Sequence, residues 1–220
     1  FLLVSCVVFL ARGPGRRLAG LSTGGRNPFS LIAFGVVMAA VTAAPAWLAT
    51  LMHRVFDIGA STPVWDLIER AQWTADFWLF MAVSSFALVP LVEELFFRSY
   101  ALGRYRMHFS SGGAILLSAA FFWVSHGQYL KADPYLLFNS GLTFIAAAIW
   151  AWSIIRTGSI APALIAHMIV NIPMTVPALA IAALSATAII VISRKAVAAE
   201  AGDFFRTVFG AKEWIFLAGA

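Results

Sequence analysis

The chain is poor in charge. Only 11% of its 220 residues are Asp, Glu, Lys or Arg, where a soluble domain carries about 25%. Hydrophobic residues make up 61%, and the mean hydropathy is +0.87. That balance excludes a soluble enzyme with a single anchor and points to a polytopic membrane protein. Cysteine is down to one, Cys6, so no internal disulfide exists and the redox compartment is not readable. No HExxH pair is present, which removes the usual local zinc-protease sequence. No internal repeat stands out, of the kind many transporters carry. The net charge of +5 is small for the length and makes no case for nucleic acid. There is no initial Met, and Phe1 opens inside an apolar run with no small-residue cleavage site after it. The expectation is a first transmembrane helix of which 1–10 is the tail.

What is there reads as an all-α, polytopic transmembrane bundle of about seven spans, the first truncated. Apolar runs fall at about 31–52, 76–101, 113–130, 136–155, 160–172 and 177–193; crossing about 30 Å of hydrocarbon takes about 20 residues. The chain divides into N-terminal helices and polar loops over 1–75, a helical core over 76–193 and a basic, amphipathic tail over 194–220. Within the tail, 204–217 reads as an interfacial helix. Pro90 removes a backbone hydrogen bond and is expected to kink the 76–101 helix. Arg12, Arg16, Arg17, Arg26, Arg104, Arg106, Arg156, Arg194 and Lys195 fall on one side of this topology, against Arg54, Arg70 and Lys131 on the other. The bias assigns the first set to the cytoplasm. Trp47, Trp73 and Trp78 fit an aromatic belt.

Three spans carry polar residues where hydrocarbon penalises them, a charge near a helix centre costing about 2.5–3.5 kcal/mol. Glu93-Glu94 is followed by Arg98, so Glu94 and Arg98 are i,i+4 and can pair. Glu93 lies about 100° round the helix and has no local basic partner, which leaves it free for chemistry. Phe122 and His126 share a face on the next span, and His167 and Asn171 on a later one. Counted at about 1.5 Å per residue, Glu93 lies about 12–15 Å deep, His126 about 20 Å and His167 about 10 Å, with His126 the poorest fit. A carboxylate, two imidazoles and an amide are the parts of a general base, proton partners and hydrogen-bond donors. His53 and His108 sit in loops and read as solvated. Asn139 and Thr143 read as packing residues.

The three motifs, EELFFR at Glu93–Arg98, FWVSH at Phe122–His126 and HMIVN at His167–Asn171, resemble EExxxR, FxxxH and HxxxN of the CPBP intramembrane proteases. That family includes type II CAAX prenyl endopeptidases and bacterial Abi proteins. The resemblance covers about 76–193. It implies that Glu93 activates a water, His126 helps hold it, His167 and Asn171 donate to the oxyanion, and Glu94, Arg98 and Phe122 support the geometry. It implies a peptide or membrane-protein substrate, a lipid bilayer as surroundings and a site opening toward the cytoplasm; the compact, Ala-rich helices point to a bacterial inner membrane. A metal-free mechanism is favoured; the alternative is Zn²⁺ held by Glu93, His126 and His167 with an open fourth position. Two other classes stay open: a non-catalytic immunity or scaffold protein of the same fold, and a proton-coupled transporter.

Overall fold

The computed structural model describes residues 22–59, 74–129 and 131–210. These are helical, with no strand among them. Helix α1 is Pro28–Phe56, started by the Asn27 side chain accepting from the Phe29 N–H, with Pro28 in the first turn where its missing N–H costs nothing. Helix α2 runs unbroken over Ala75–Tyr105. After it come α3 (Ser111–Ser125), a 3₁₀ turn (Gly127–Tyr129) and α4 (Pro134–Thr157), and then α5 (Ala161–Val170), α6 (Val176–Ile192) and α7 (Arg194–Phe209). Asp133 caps α4 at its start, and Gly158, in the left-handed region at φ 70°, ends it at no steric cost.

The expected runs 31–52, 76–101 and 136–155 become α1, α2 and α4, three helices long and apolar enough to cross a membrane. This is an integral membrane protein. Two expected crossings come out short. α3 has 15 residues and α5 has 10, roughly 22 and 15 Å at about 1.5 Å per residue. Each stops where a polar motif residue leaves helical geometry, at His126 and at Asn171. α6 and α7 meet at an 82° bend, so the tail turns aside at Ser193 and is helical from Arg194 rather than from 204. The expected first span and Trp73 lie outside the described residues.

Pro90 does not break α2. Its missing N–H leaves the Phe86 carbonyl without an i+4 donor, and the helix widens on both sides, into π-helical turns at Ala82–Leu88 and Glu94–Ala101. The Val89 N–H already reaches back five residues to the Ser84 carbonyl. Such turns recur at functional sites.

Small residues let the rods approach, as membrane interfaces require. At Gly35 of α1 a Cβ would lie 2.9 Å from the Ile165 Cβ of α5. At Gly112 of α3 it would lie 2.5 Å from the Val208 carbonyl oxygen of α7. The core gathers Phe97, Leu102, Ile115, Phe122, Trp150 and Ile154. The outside is apolar, as lipid demands: Ile181, Leu184 and Ile192 of α6 are 66%, 72% and 81% exposed.

His53 corrects the sequence reading. It is in the last turn of α1, buried, not in a solvated loop. The Asp57 N–H caps the helix on the His53 carbonyl, the His53 ring stacks on Tyr135 at 4.3 Å, and its Nδ1 bonds the Ile58 carbonyl. His108 is exposed, as expected.

Candidate active site

Glu93, His126 and His167 come together, and Asn171 lines the same cavity. Glu93 of α2 points Oε2 between two imidazoles from different parts of the chain. His126 Nε2 lies 4.0 Å from it and His167 Nε2 lies 3.7 Å from it. Glu93 Oε2 is buried without a hydrogen-bond partner, although its side chain is 25% exposed. Both separations exceed a direct hydrogen bond and suit one bridging water.

His126 fits because it is not a helical residue. It sits one position past α3 with φ −96° and ψ 42°, and its Nδ1 returns to the Phe122 carbonyl at 2.8 Å. A carbonyl only accepts, so Nδ1 donates, and neutral Nε2 presents a lone pair to Glu93. His167 follows the same logic. Its Nδ1 is 2.8 Å from Glu94 Oε1 and donates to it. Glu93 Oε2 and the two Nε2 atoms thus face one another across a gap that suits one bridging water.

Beneath them lies a fully buried ion pair. Arg98 is 3.4 Å from Glu94 Oε1, with both side chains at 0% exposure. The guanidinium is stacked 3.9 Å above the Phe122 ring, with Trp150 at 5.5 Å. This accounts for the FxxxH phenylalanine. It carries His126 on its carbonyl and Arg98 on its ring. Glu94 therefore links Arg98 to His167, the role spacing assigned to it, plus a contact to the imidazole that spacing did not show.

Sequence reasoning missed Trp150. It is buried in α4, stacked on His167 at 4.7 Å, and its indole N–H is buried without a partner. The only signal was its spacing from Asn139 and Thr143, which share its side of α4. Those two also correct their reading. Each bonds back to its own helix, Asn139 to the Tyr135 carbonyl and Thr143 to the Asn139 carbonyl, and both line a cavity of about 380 Å³. Trp47 lines it as well and is no belt residue. Glu93, His126, His167 and Asn171 are part of its wall. Burial pushes the Tyr129 phenol, also in the wall, above its ordinary value, with Tyr135 nearby adding to the shift, so it stays a neutral donor.

The cavity reaches from mid-bundle toward Thr50, Gln128 and Met174. That end holds the C-terminus of α1 and the N-termini of α2 and α4. The basic loops occupy the other end. Among the described residues the cavity wall and the basic loops lie toward opposite ends of the bundle. Hydrophobic runs show where a helix crosses but not which half of it is hollow.

Glu93, His126 and His167 are the residues a zinc ion would need. Among the described residues no group of three or more His, Cys, Asp or Glu is spaced to hold a metal.

Residues 75–173 match the family model of the type II CAAX prenyl endopeptidase Rce1-like proteins. The matched segment starts with α2 and includes all three motifs, and the family is the one the motifs resemble. This segment is similar to that family over a little under half of the chain. No curated protein and no solved structure matches the chain.

Proposed function

We propose that the protein hydrolyses peptide bonds within the membrane by a glutamate-activated water, without a metal. The observation that carries this is the partnerless Glu93 Oε2 facing two imidazole Nε2 atoms at 4.0 and 3.7 Å in a cavity wall. A water in the gap is held by Glu93 and His126 with its lone pairs turned outward. A peptide carbonyl entering the cavity meets that oxygen. As the C–O bond forms, Glu93 takes the water's proton and the carbonyl oxygen becomes an oxyanion. The Asn171 amide is the donor for that oxyanion. His167 is oriented by Glu94, to which its Nδ1 donates, with Nε2 turned toward Glu93. Collapse of the tetrahedral intermediate breaks the C–N bond, and the proton held by Glu93 goes to the leaving amine.

Arg98, Glu94 and Phe122 hold the imidazoles in register. The Ala-rich, compact helices fit a bacterial inner membrane. The test is cleavage of an internally quenched farnesylated CaaX peptide, and of its unprenylated counterpart, by purified protein in nanodiscs. Glu93→Gln keeps shape and removes the base, so turnover falls by about 10²–10⁴ while the thermal midpoint holds. Undiminished turnover in Glu93→Gln refutes the assignment. Metal analysis with a chelator titration separates the zinc version, which needs stoichiometric metal and loses activity on chelation.

A further inference from the structure

We infer that Trp123 and Ser140 are positioning residues: their hydrogen bond pins the last turn of α3 to α4 and so sets His126 across the gap from Glu93. The inference rests on the peptidase reading proposed above, in which His126 helps hold the water. His126 hangs from two consecutive residues of that turn. Its backbone N–H donates to the Trp123 carbonyl at 3.0 Å, and its Nδ1 donates to the Phe122 carbonyl at 2.8 Å. Carbonyls in the last turn of a helix have no intrahelical donor, so they are open to such use. The Ser125 hydroxyl takes the other lone pair of the Phe122 carbonyl at 2.6 Å. All three bonds lie within the end of α3. They orient the ring relative to α3, and its distance from Glu93 of α2 then depends on where that turn sits in the bundle.

Trp123 fixes that place. Its indole Nε1 donates to the Ser140 hydroxyl of α4 at 2.7 Å, and its ring meets Phe144 edge to face at 6.2 Å. Ser140 and Phe144 are i,i+4 and share one face of α4, so the indole lies along a full turn of that helix. Ser140 is 3% exposed, which keeps water from competing for the bond. The polar neighbours of Ser140 turn to their own helix, Asn139 and Thr143 each bonding a carbonyl of α4, whereas Ser140 accepts from α3. The residue before Trp123 grips α4 elsewhere: the Phe122 ring meets Trp150 edge to face at 6.4 Å while carrying Arg98 at 3.9 Å. A turn held at one point can swivel. One held at both Trp150 and Ser140 keeps His126 Nε2 at 4.0 Å from Glu93 Oε2, within reach of one shared water. Misplacement by about 1 Å loses that sharing and costs about 10²-fold in rate.

The experiment separates position from stability. Ser140→Ala strands the indole N–H without its acceptor, so it lowers the thermal midpoint and kcat together. The deciding variant is Trp123→Phe combined with Ser140→Ala. It keeps a ring against Phe144 and leaves no unpaired donor, and replacing both partners of a buried bond by apolar groups costs little stability. On the full chain in nanodiscs, with the quenched peptides named above, the expected result is a thermal midpoint back near the native value, KM unchanged and kcat still down by about 10–10²-fold. A kcat that returns with the midpoint makes the pair structural only and overturns the inference. A second readout needs no turnover: NMR of protein carrying isotope-labelled histidine, with the His126 ring assigned by its disappearance in His126→Gln. The native ring is expected in one tautomer, with its proton on Nδ1, and the double variant in both. A single Nδ1–H tautomer retained in the double variant also overturns the inference. A released ring in the double variant, together with a native protein that cleaves neither peptide or a Glu93→Gln variant that cleaves normally, sinks the peptidase reading alone.

Discussion

Replacing Arg98 by Met tests the energetic argument at its most exposed point. Met fills much of the space of Arg and removes only the charge and its donors. Glu94 is then left as a carboxylate at 0% exposure, with Oε2 already unpartnered. At 3.4 Å and an effective dielectric of about 20, the pair attracts by about 5 kcal/mol; removing one partner of a buried pair costs about 3–5 kcal/mol. A surface pair would contribute about 0–1 kcal/mol. That cost includes loss of the stack on Phe122, 3.9 Å from the guanidinium, which is worth up to about 2 kcal/mol. The decisive variant is the double one, Glu94→Gln with Arg98→Met. It discharges the cavity floor, and the Gln oxygen still accepts from His167 Nδ1. We expect Arg98→Met alone to lower stability by about 3–5 kcal/mol and the double variant to recover about 2–3 kcal/mol, within the range of couplings measured for groups in contact. Reversible unfolding in detergent micelles, read over a double-mutant cycle, measures both. A cost below about 1 kcal/mol for Arg98→Met, or strictly additive effects, refutes the reasoning that this pair is buried and mutually dependent.

Asn171→Ala removes the proposed oxyanion donor and lowers kcat by about 10²–10³ with KM nearly unchanged; steady-state kinetics on the quenched peptides checks this, and an effect confined to KM contradicts it. Trp150→Phe keeps a ring against His167 and is expected to retain most activity, whereas Trp150→Leu loses a stack of about 0.5–1.5 kcal/mol and shifts the pH profile of kcat; equal profiles for the two variants remove Trp150 from a positioning role. Gly112→Val drives side-chain atoms into the Val208 carbonyl, where even a Cβ would come within 2.5 Å. It should release α7 from α3 and raise protease cleavage within 194–209, and an unchanged cleavage pattern argues against that contact.

The legible part of this protein was local or periodic. Apolar runs located α1, α2 and α4, because a span in hydrocarbon must bond its backbone internally and present apolar side chains. The i,i+4 rule put Glu94 on Arg98 and left Glu93 over, because helical spacing alone decides which side chains share a face. Charge counts divided the loops by side.

Tertiary structure decided the rest. Depth counted along straight helices made His126 the worst member of the site. In fact α3 ends at Ser125 and His126 folds back on the Phe122 carbonyl, so its position depends on a non-helical backbone that no count of residues supplies. Pro90 was expected to kink α2; the structure adds π-helical turns on either side of it, which residue spacing does not show. Trp150, Asn139 and Thr143 carried no motif, and they face the cavity only because α4 packs with that side inward. The hollow end of the bundle was likewise invisible, since hydropathy is blind to which half of a helix pair stands apart. Sequence determined which residues are able to react, through their chemistry and their spacing on single helices. Only the packing of separate helices decided that they share one gap, because that is a matter of distances between segments far apart along the chain.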